Sequence, residues 1–265
     1  MRNHLDSAQF QVLGANLQIV IDGFGSFTLI ANRILLEEGL GTDDGKGAVK
    51  FQADKWYSLE RWLNALRRIG NEFGHALLHQ SGMTTPKNAV FPPTVTDIRS
   101  ALQCIDIAYH MNHSVMGEPM FNPGTGQMLE GIGHYGYTHA AGSSLITIES
   151  TTPYPCDFDQ GIIIAMAQRF QSSAVLTHDA TRPCRKHGSD RCTYHVTWKE
   201  ASIPVTNFRP KAATAPAKTA PAPAKAAPAP AKAAPAPAAA KPGGAAGTAR
   251  PAPAVASALP RSQVG

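Results

Sequence analysis

The sequence has no run of about 18 consecutive apolar residues, so no membrane-spanning helix is expected. Its first residues, MRNHLDSAQF, lack a basic start followed by an apolar stretch, which argues against a secretory signal and for a cytoplasmic protein. There is no HExxH, no CxxC and no nucleophile paired with an obvious base. The GIGHYG stretch at 131–136 has neither the glycine spacing nor the strand–turn–helix setting of a dinucleotide loop. No reaction class is therefore indicated, and the sequence reads as a binding domain more readily than as an enzyme. Acidic residues are missing altogether from 201–265, which carry eight Lys or Arg, whereas residues 1–200 hold 16 basic against 19 acidic residues. The pI of about 9.1 thus belongs to the tail, and the body carries no nucleic-acid footprint.

The chain divides on composition. Residues 1–203 read as one α+β domain, an antiparallel sheet packed with several helices. Residues 204–265 read as a disordered tail of Ala, Pro and Lys. Lys211, Lys218, Lys225 and Lys232 recur every seven residues there. Proline rules out a coiled coil, and the segment cannot bury enough apolar surface to fold. It reads as a spacer or as a tether for an acidic protein, DNA or an anionic membrane face, with salt-sensitive attraction.

Within the body, Asn16 to Asp22 is rich in β-branched residues and reads as a strand. Ser26 to Glu38 reads as a helix, with Phe27, Ile30, Ala31, Ile34 and Leu35 on one face. Ser58 caps a helix running to Gly82 with Trp62, Leu66, Ile69, Phe73 and Leu77 as its stripe. His75 and His79, four apart on it, fall on the solvent side. Thr94 or Thr96 caps a third helix to about His113, and Cys104 on it reads as a small core residue. Asp157 or Asp159 caps a fourth, and strands are expected over 128–139, 144–150, 174–178 and 192–198.

Two clusters could carry function. Tyr109, His110, Asn112 and His113 gather where the third helix ends. They make either a polar anchor at a pocket mouth or a hydrogen-bonded helix end. The second is Cys156, Cys184 and Cys192. Cys184 and Cys192 lie eight apart around Gly188, a spacing that a tight loop can close on a metal. A tetrahedral zinc needs a fourth ligand, and His187 and Asp179 are near in sequence. Three plain buried cysteines are the alternative.

The stretch CRKHGSDRCTYHVTW, with Cys156 before a helix, resembles the end of the 4-vinyl reductase domain. That domain is similar to the input region of phenol- and xylene-responsive activators, which have the NO-signalling/Golgi-transport ligand-binding fold. The resemblance implies a small, apolar or aromatic ligand, a homodimer, and zinc on Cys156, Cys184 and Cys192. In the phenol sensors the fourth zinc ligand is a glutamate three residues before the second cysteine. Here that position is Thr181, which shifts the fourth ligand to His187 or Asp179. The resemblance also places His110 or His113, with His134 or Tyr135, in the ligand region. It implies a sensor whose output passes through a partner, a second copy or the tail. Vinyl reduction of tetrapyrroles by members of that family leaves an enzyme or a haem- and gas-binding protein as alternatives, and a dimeric scaffold as a third.

Overall fold

The computed structural model describes residues 7–87 and 91–199. The expected tail over 204–265 lies outside the described residues. The class is α+β, as the sequence implies, with two four-stranded antiparallel sheets and seven α-helices among the described residues.

Strand β1 (Phe10–Leu13) runs directly into helix α1 (Gly14–Asp22). The strand expected over 16–22 is thus a helix. Leu17, Val20 and Ile21 are buried at i, i+3 and i+4, and one-sided packing outweighs the β-preference of the branched residues. Helix α2 (Thr28–Glu37) buries Ala31, Ile34 and Leu35, but Phe27 and Ile30 from the expected stripe are exposed. A ribbon of β2 (Thr42–Asp43) and β3 (Val49–Lys50) follows, then β4 (Trp56–Ser58).

Helix α3 (Leu59–Phe73) is capped by Ser58, whose hydroxyl accepts from the Arg61 N–H. The helix expected to continue to Gly82 breaks at Gly74, whose φ of 91° is open to glycine alone among common residues. The chain resumes as α4 (His75–Thr84). The break turns His75 toward Asp157, 3.1 Å away, so this histidine has a charged partner rather than only solvent.

The third expected helix is two short ones, α5 (Ile98–Gln103) and α6 (Ile105–Met111). Asp97, not Thr94 or Thr96, caps the first, because its side chain and that of Ser100 satisfy each other's backbone N–H groups. Cys104 sits half-buried at the junction, its Sγ donating to the Ala101 carbonyl.

Sheet one has the order β4-β1-β5-β6, with β5 (His113–Val115) and β6 (Glu118–Pro119). The ribbon of β7 (Phe121–Asn122) and β8 (Gln127–Met128) closes on the FNPGTG turn, where the Asn122 side chain accepts from Gly124 and Thr125. The strand expected over 128–139 is split. Its second part is β9 (Tyr135–His139), and between them Gly131 and Gly133 take positive φ. A Cβ on Gly133 would collide with the Thr151 carbonyl, so this glycine marks a close backbone approach.

Sheet two has the order β11-β12-β10-β9. It comprises β10 (Leu145–Ser150), β11 (Val175–His178) and β12 (Cys192–Thr197), with Ile148 opposite Tyr194 and Ser150 opposite Cys192. Helix α7 (Cys156–Phe170) packs on this sheet and along α4. Pro155 stands at its N-cap without a side-chain bond. Neither Asp157 nor Asp159 caps it, because Asp159 turns into the core.

The α4–α7 crossing is a backbone contact. A Cβ on Gly82 would strike the Phe158 carbonyl, and one on Gly161 the His79 carbonyl. Gly161→Ala should therefore lower stability by about 1–3 kcal/mol, the usual cost of overpacking, despite the better helix propensity of alanine. Urea unfolding checks this, and a variant as stable as the parent would contradict the tight crossing.

Candidate functional site

Helices α1, α3, α6 and α7 line an apolar cavity of about 120 Å³. Aromatic groups dominate its wall: Trp62, Tyr109, Tyr135, Tyr154 and Phe158, with His113 among them. Tyr109 is the hub, with its ring 4.5 Å from His113, 5.5 Å from Tyr135 and 6.2 Å from Tyr154.

The polar atoms of the wall are almost all engaged. Tyr109 donates to the Ile132 carbonyl at 2.9 Å. His113 Nδ1 lies 2.7 Å from the Tyr109 carbonyl, which can only accept, so Nδ1 carries the hydrogen. Nε2 then accepts from the Tyr154 hydroxyl at 2.8 Å. Burial pushes the His113 pKa down to about 4, so the ring is neutral at pH 7. Burial likewise raises the tyrosine hydroxyls, which stay protonated. Thr85 Oγ1, at the end of α4, is buried without a partner.

Behind Tyr135 lies a buried charge network. The Tyr135 hydroxyl donates to Asp159 Oδ1 at 2.6 Å. Ser150, Thr152 and Arg185 donate to Asp159 Oδ2 at 2.7, 2.9 and 2.5 Å. Arg185 also donates to the Thr152 carbonyl and, at 3.2 Å, to the Tyr194 hydroxyl. Tyr194 donates on to the Cys156 carbonyl.

Arg185 leads to the cysteines. One sulfur from each of Cys156, Cys184 and Cys192 lies within 4.8 Å of the other two, and all three are buried. The Cys184 and Cys192 sulfurs are 3.8 Å apart. That is about the edge of a tetrahedron with metal–sulfur bonds of about 2.3 Å. The Arg185 and Lys186 N–H groups donate to Cys192 and Cys184 Sγ at 3.4 Å. A hydrogen bond from Cys156 and the Arg185 N–H hold the Cys192 pKa down, while the same pairing and burial push Cys156 up. This donor set suits a soft or borderline cation.

The proposed fourth ligands stand apart. His187 is exposed on the loop. Asp179 accepts from the Thr181 N–H and hydroxyl and faces His195 Nε2 at 3.1 Å. Those hydrogen bonds pull its pKa to about 2. Neither belongs to the sulfur group.

Of the residues proposed for ligand binding, Tyr109, His113 and Tyr135 line the cavity. His110 and His134 do not; they meet Asp106 on another side of α6. Tyr154, Trp62 and Thr85 were not legible as site residues. Nor was Asp159, although an acid inside the apolar DFDQGIII run signals a buried partner.

The His113 environment fixes a pH response. The unfolded chain takes up a proton on this ring near pH 6.5, whereas the folded chain does so only near pH 4. In that window the unfolded state binds more protons, so stability falls as pH is lowered from about 6.5 to about 4. The loss amounts to about 3 kcal/mol for this group. Urea midpoints between pH 7.5 and 4.5 should show it, and His113→Gln should flatten that part of the profile.

No family model matches the chain, and no curated relative does. Solved structures do. An H-NOX protein from S. oneidensis in the Fe(II)NO ligation state is 15% identical and superposes with a TM-score of 0.50, over 71% of this chain and 99% of that one. A second, from work on heme distortion in the H-NOX family, is 11% identical with a TM-score of 0.50, over 71% and 95%. The 4-vinyl reductase resemblance gains no support from these comparisons, whereas the broader NO-signalling ligand-binding fold does. At such identities the likeness concerns architecture alone: this chain has an H-NOX-like α+β fold.

Proposed function

We propose that residues 1–203 form a small-molecule-binding sensor domain whose ligand occupies the aromatic cavity. The observation that carries this reading is an apolar, aromatic-lined cavity whose tyrosine and histidine groups are all hydrogen-bonded, while the buried Thr85 Oγ1 has no partner. Such a wall rejects charge and accepts an apolar body. An apolar cavity of about 150 Å³ takes benzene, so a volume of about 120 Å³ suits a single aromatic ring. Thr85 Oγ1 offers one hydrogen bond to a hydroxyl on it. The domain binds rather than transforms in this reading, and its output passes through a partner, a second copy or the basic segment 204–265.

Cys156, Cys184 and Cys192 would hold zinc, supported by the 3.8 Å sulfur spacing and the N–H groups that donate to the Cys184 and Cys192 sulfurs. The ion would supply a structural cross-link between the start of α7 and the two ends of the Cys184–Cys192 loop, contributing folding energy directly.

A haem-linked gas sensor is the second reading, favoured by the H-NOX-like architecture. The cavity walls do not fit a tetrapyrrole as they stand. A macrocycle needs the large end of the roughly 300–1,000 Å³ range of ligand pockets. Both nitrogens of His113, the histidine in the wall, are already hydrogen-bonded. Haem would have to open the cavity and detach His113 from Tyr154.

Three results separate these readings. Purified protein should carry at least one zinc per chain, and chelation should lower its melting temperature. Phenol or toluene at about 100 times its Kd should raise the melting temperature by roughly 5–10 °C, and Ala108→Phe, which fills the cavity, should abolish the rise. Haemin should give no stoichiometric Soret band; a saturable one-to-one band that His113→Gln weakens would favour the haem reading instead.

A further inference from the structure

Outside the cavity and the cysteines, the described residues hold a second cluster of metal-ligating side chains. One ligand atom from each of Asp106, His110 and His134 lies within 4.8 Å of the others. Asp106 and His110 come from α6, one turn apart. His134 comes from the loop before β9. The His110 and His134 rings lie 4.8 Å apart. Glu130 reaches the same group, with Oε2 2.7 Å from His134 Nε2.

His110 supplies a second, independent observation. Its side chain is fully buried. Nδ1 lies 2.8 Å from the Asp106 backbone carbonyl, which only accepts, so the hydrogen is on Nδ1 and the lone pair on Nε2. That Nε2 has no hydrogen-bond partner among the described residues. A buried acceptor without a donor is costly and points to a missing ligand. Orientation of an imidazole by a backbone carbonyl at one nitrogen is how protein sites prepare the other for a metal. Asp106 is also held in place, its Oδ1 accepting from the Tyr135 N–H at 2.8 Å.

We propose that Asp106, His110 and His134, with Glu130 at the solvent side, bind a divalent first-row transition-metal ion. The ligand set, two imidazoles and two carboxylates, suits zinc, iron(II), cobalt(II) or nickel(II) rather than calcium or magnesium. Ligand atoms around such an ion sit about 3–3.5 Å apart, so the site closes inward slightly on binding. His134 is part-exposed and Glu130 exposed, so both can supply that movement and open the entry path.

Without metal, His134 bridges two carboxylates, with Nδ1 3.0 Å from Asp106 and Nε2 2.7 Å from Glu130. A bound ion would take the place of one of these contacts, because a metal-bound imidazole nitrogen carries no hydrogen. The site is independent of the cysteine cluster and shares no residue with it.

Cobalt(II) tests the proposal on the metal-stripped full chain. Binding at the cysteines gives intense near-ultraviolet sulfur-to-cobalt absorption; binding at the nitrogen and oxygen site gives heat and weak visible bands without it. Calorimetry and absorbance together should reveal an ion bound without sulfur absorption. His134→Gln should weaken that ion about tenfold or more, leave any sulfur band unchanged, and keep a cooperative melt. Glu130→Gln, on a largely exposed side chain, should weaken it less and serves if the first variant fails to fold. A band-free event that is absent from the parent chain, or that superimposes in parent and variants, overturns the proposal. An absent sulfur band alone bears on the cysteine reading only.

Discussion

The buried Asp159–Arg185 pair sets the terms for much of this structure. Asp159 is fully buried, and an ionised carboxylate in such a place is costly unless donors surround it. Four side chains do so, from β9, the β10–α7 region and the Cys184–Cys192 loop. Removing any one leaves the charge less compensated, so these segments are committed to one mutual arrangement. The pair is also the join between the two sites. Tyr135 presents its ring to the cavity and its hydroxyl to Asp159, while the Arg185 backbone N–H reaches Cys192. A change in the position of Tyr135 therefore has a continuous polar route to the Cys192 sulfur.

The histidines divide by what their second nitrogen meets. His113 is closed on both sides by neutral groups and lies in the aromatic wall. His134 is held by two carboxylates at the edge of the domain, and those hydrogen bonds raise its pKa against the opposing effect of partial burial. His110, three residues before His113, has one nitrogen satisfied and one bare. Three imidazoles within 25 residues thus differ in protonation and in chemistry, because each is oriented by a different backbone or side-chain acceptor.

Much of the architecture was legible in the residues. The α+β class, the helix over Leu59–Phe73 with its Ser58 cap, the FNPGTG turn and the strand pair at Leu145–Ser150 and Cys192–Thr197 followed from period and turn chemistry. The misread elements share a physical cause. Asn16–Asp22 looked extended because β-branched residues were weighed without knowing which side would be packed. Asp159 looked like a cap because an acid at a helix start usually faces solvent, and its partner lies 26 positions away at Arg185. The cavity was half visible: Tyr109, His113 and Tyr135 stood out as polar aromatics, but Tyr154 and Thr85 enter only through tertiary contacts. The cysteines were grouped correctly from spacing, whereas the proposed partners His187 and Asp179 were chosen for nearness in sequence, which the loop does not convert into nearness in space.

The glycine crossing of α4 and α7 has a mechanical consequence. Two backbones in direct contact leave no side chains to repack, so that pair of helices behaves as a stiff frame. The frame carries Phe158 and Met166 on one side of the cavity and holds Thr85 at the end of α4. Helix α1 is fastened to the same frame, because the buried Ser81 hydroxyl of α4 donates to the Val20 carbonyl. A wall anchored through backbone groups cannot widen by rotamer changes alone, so its width limits the guest.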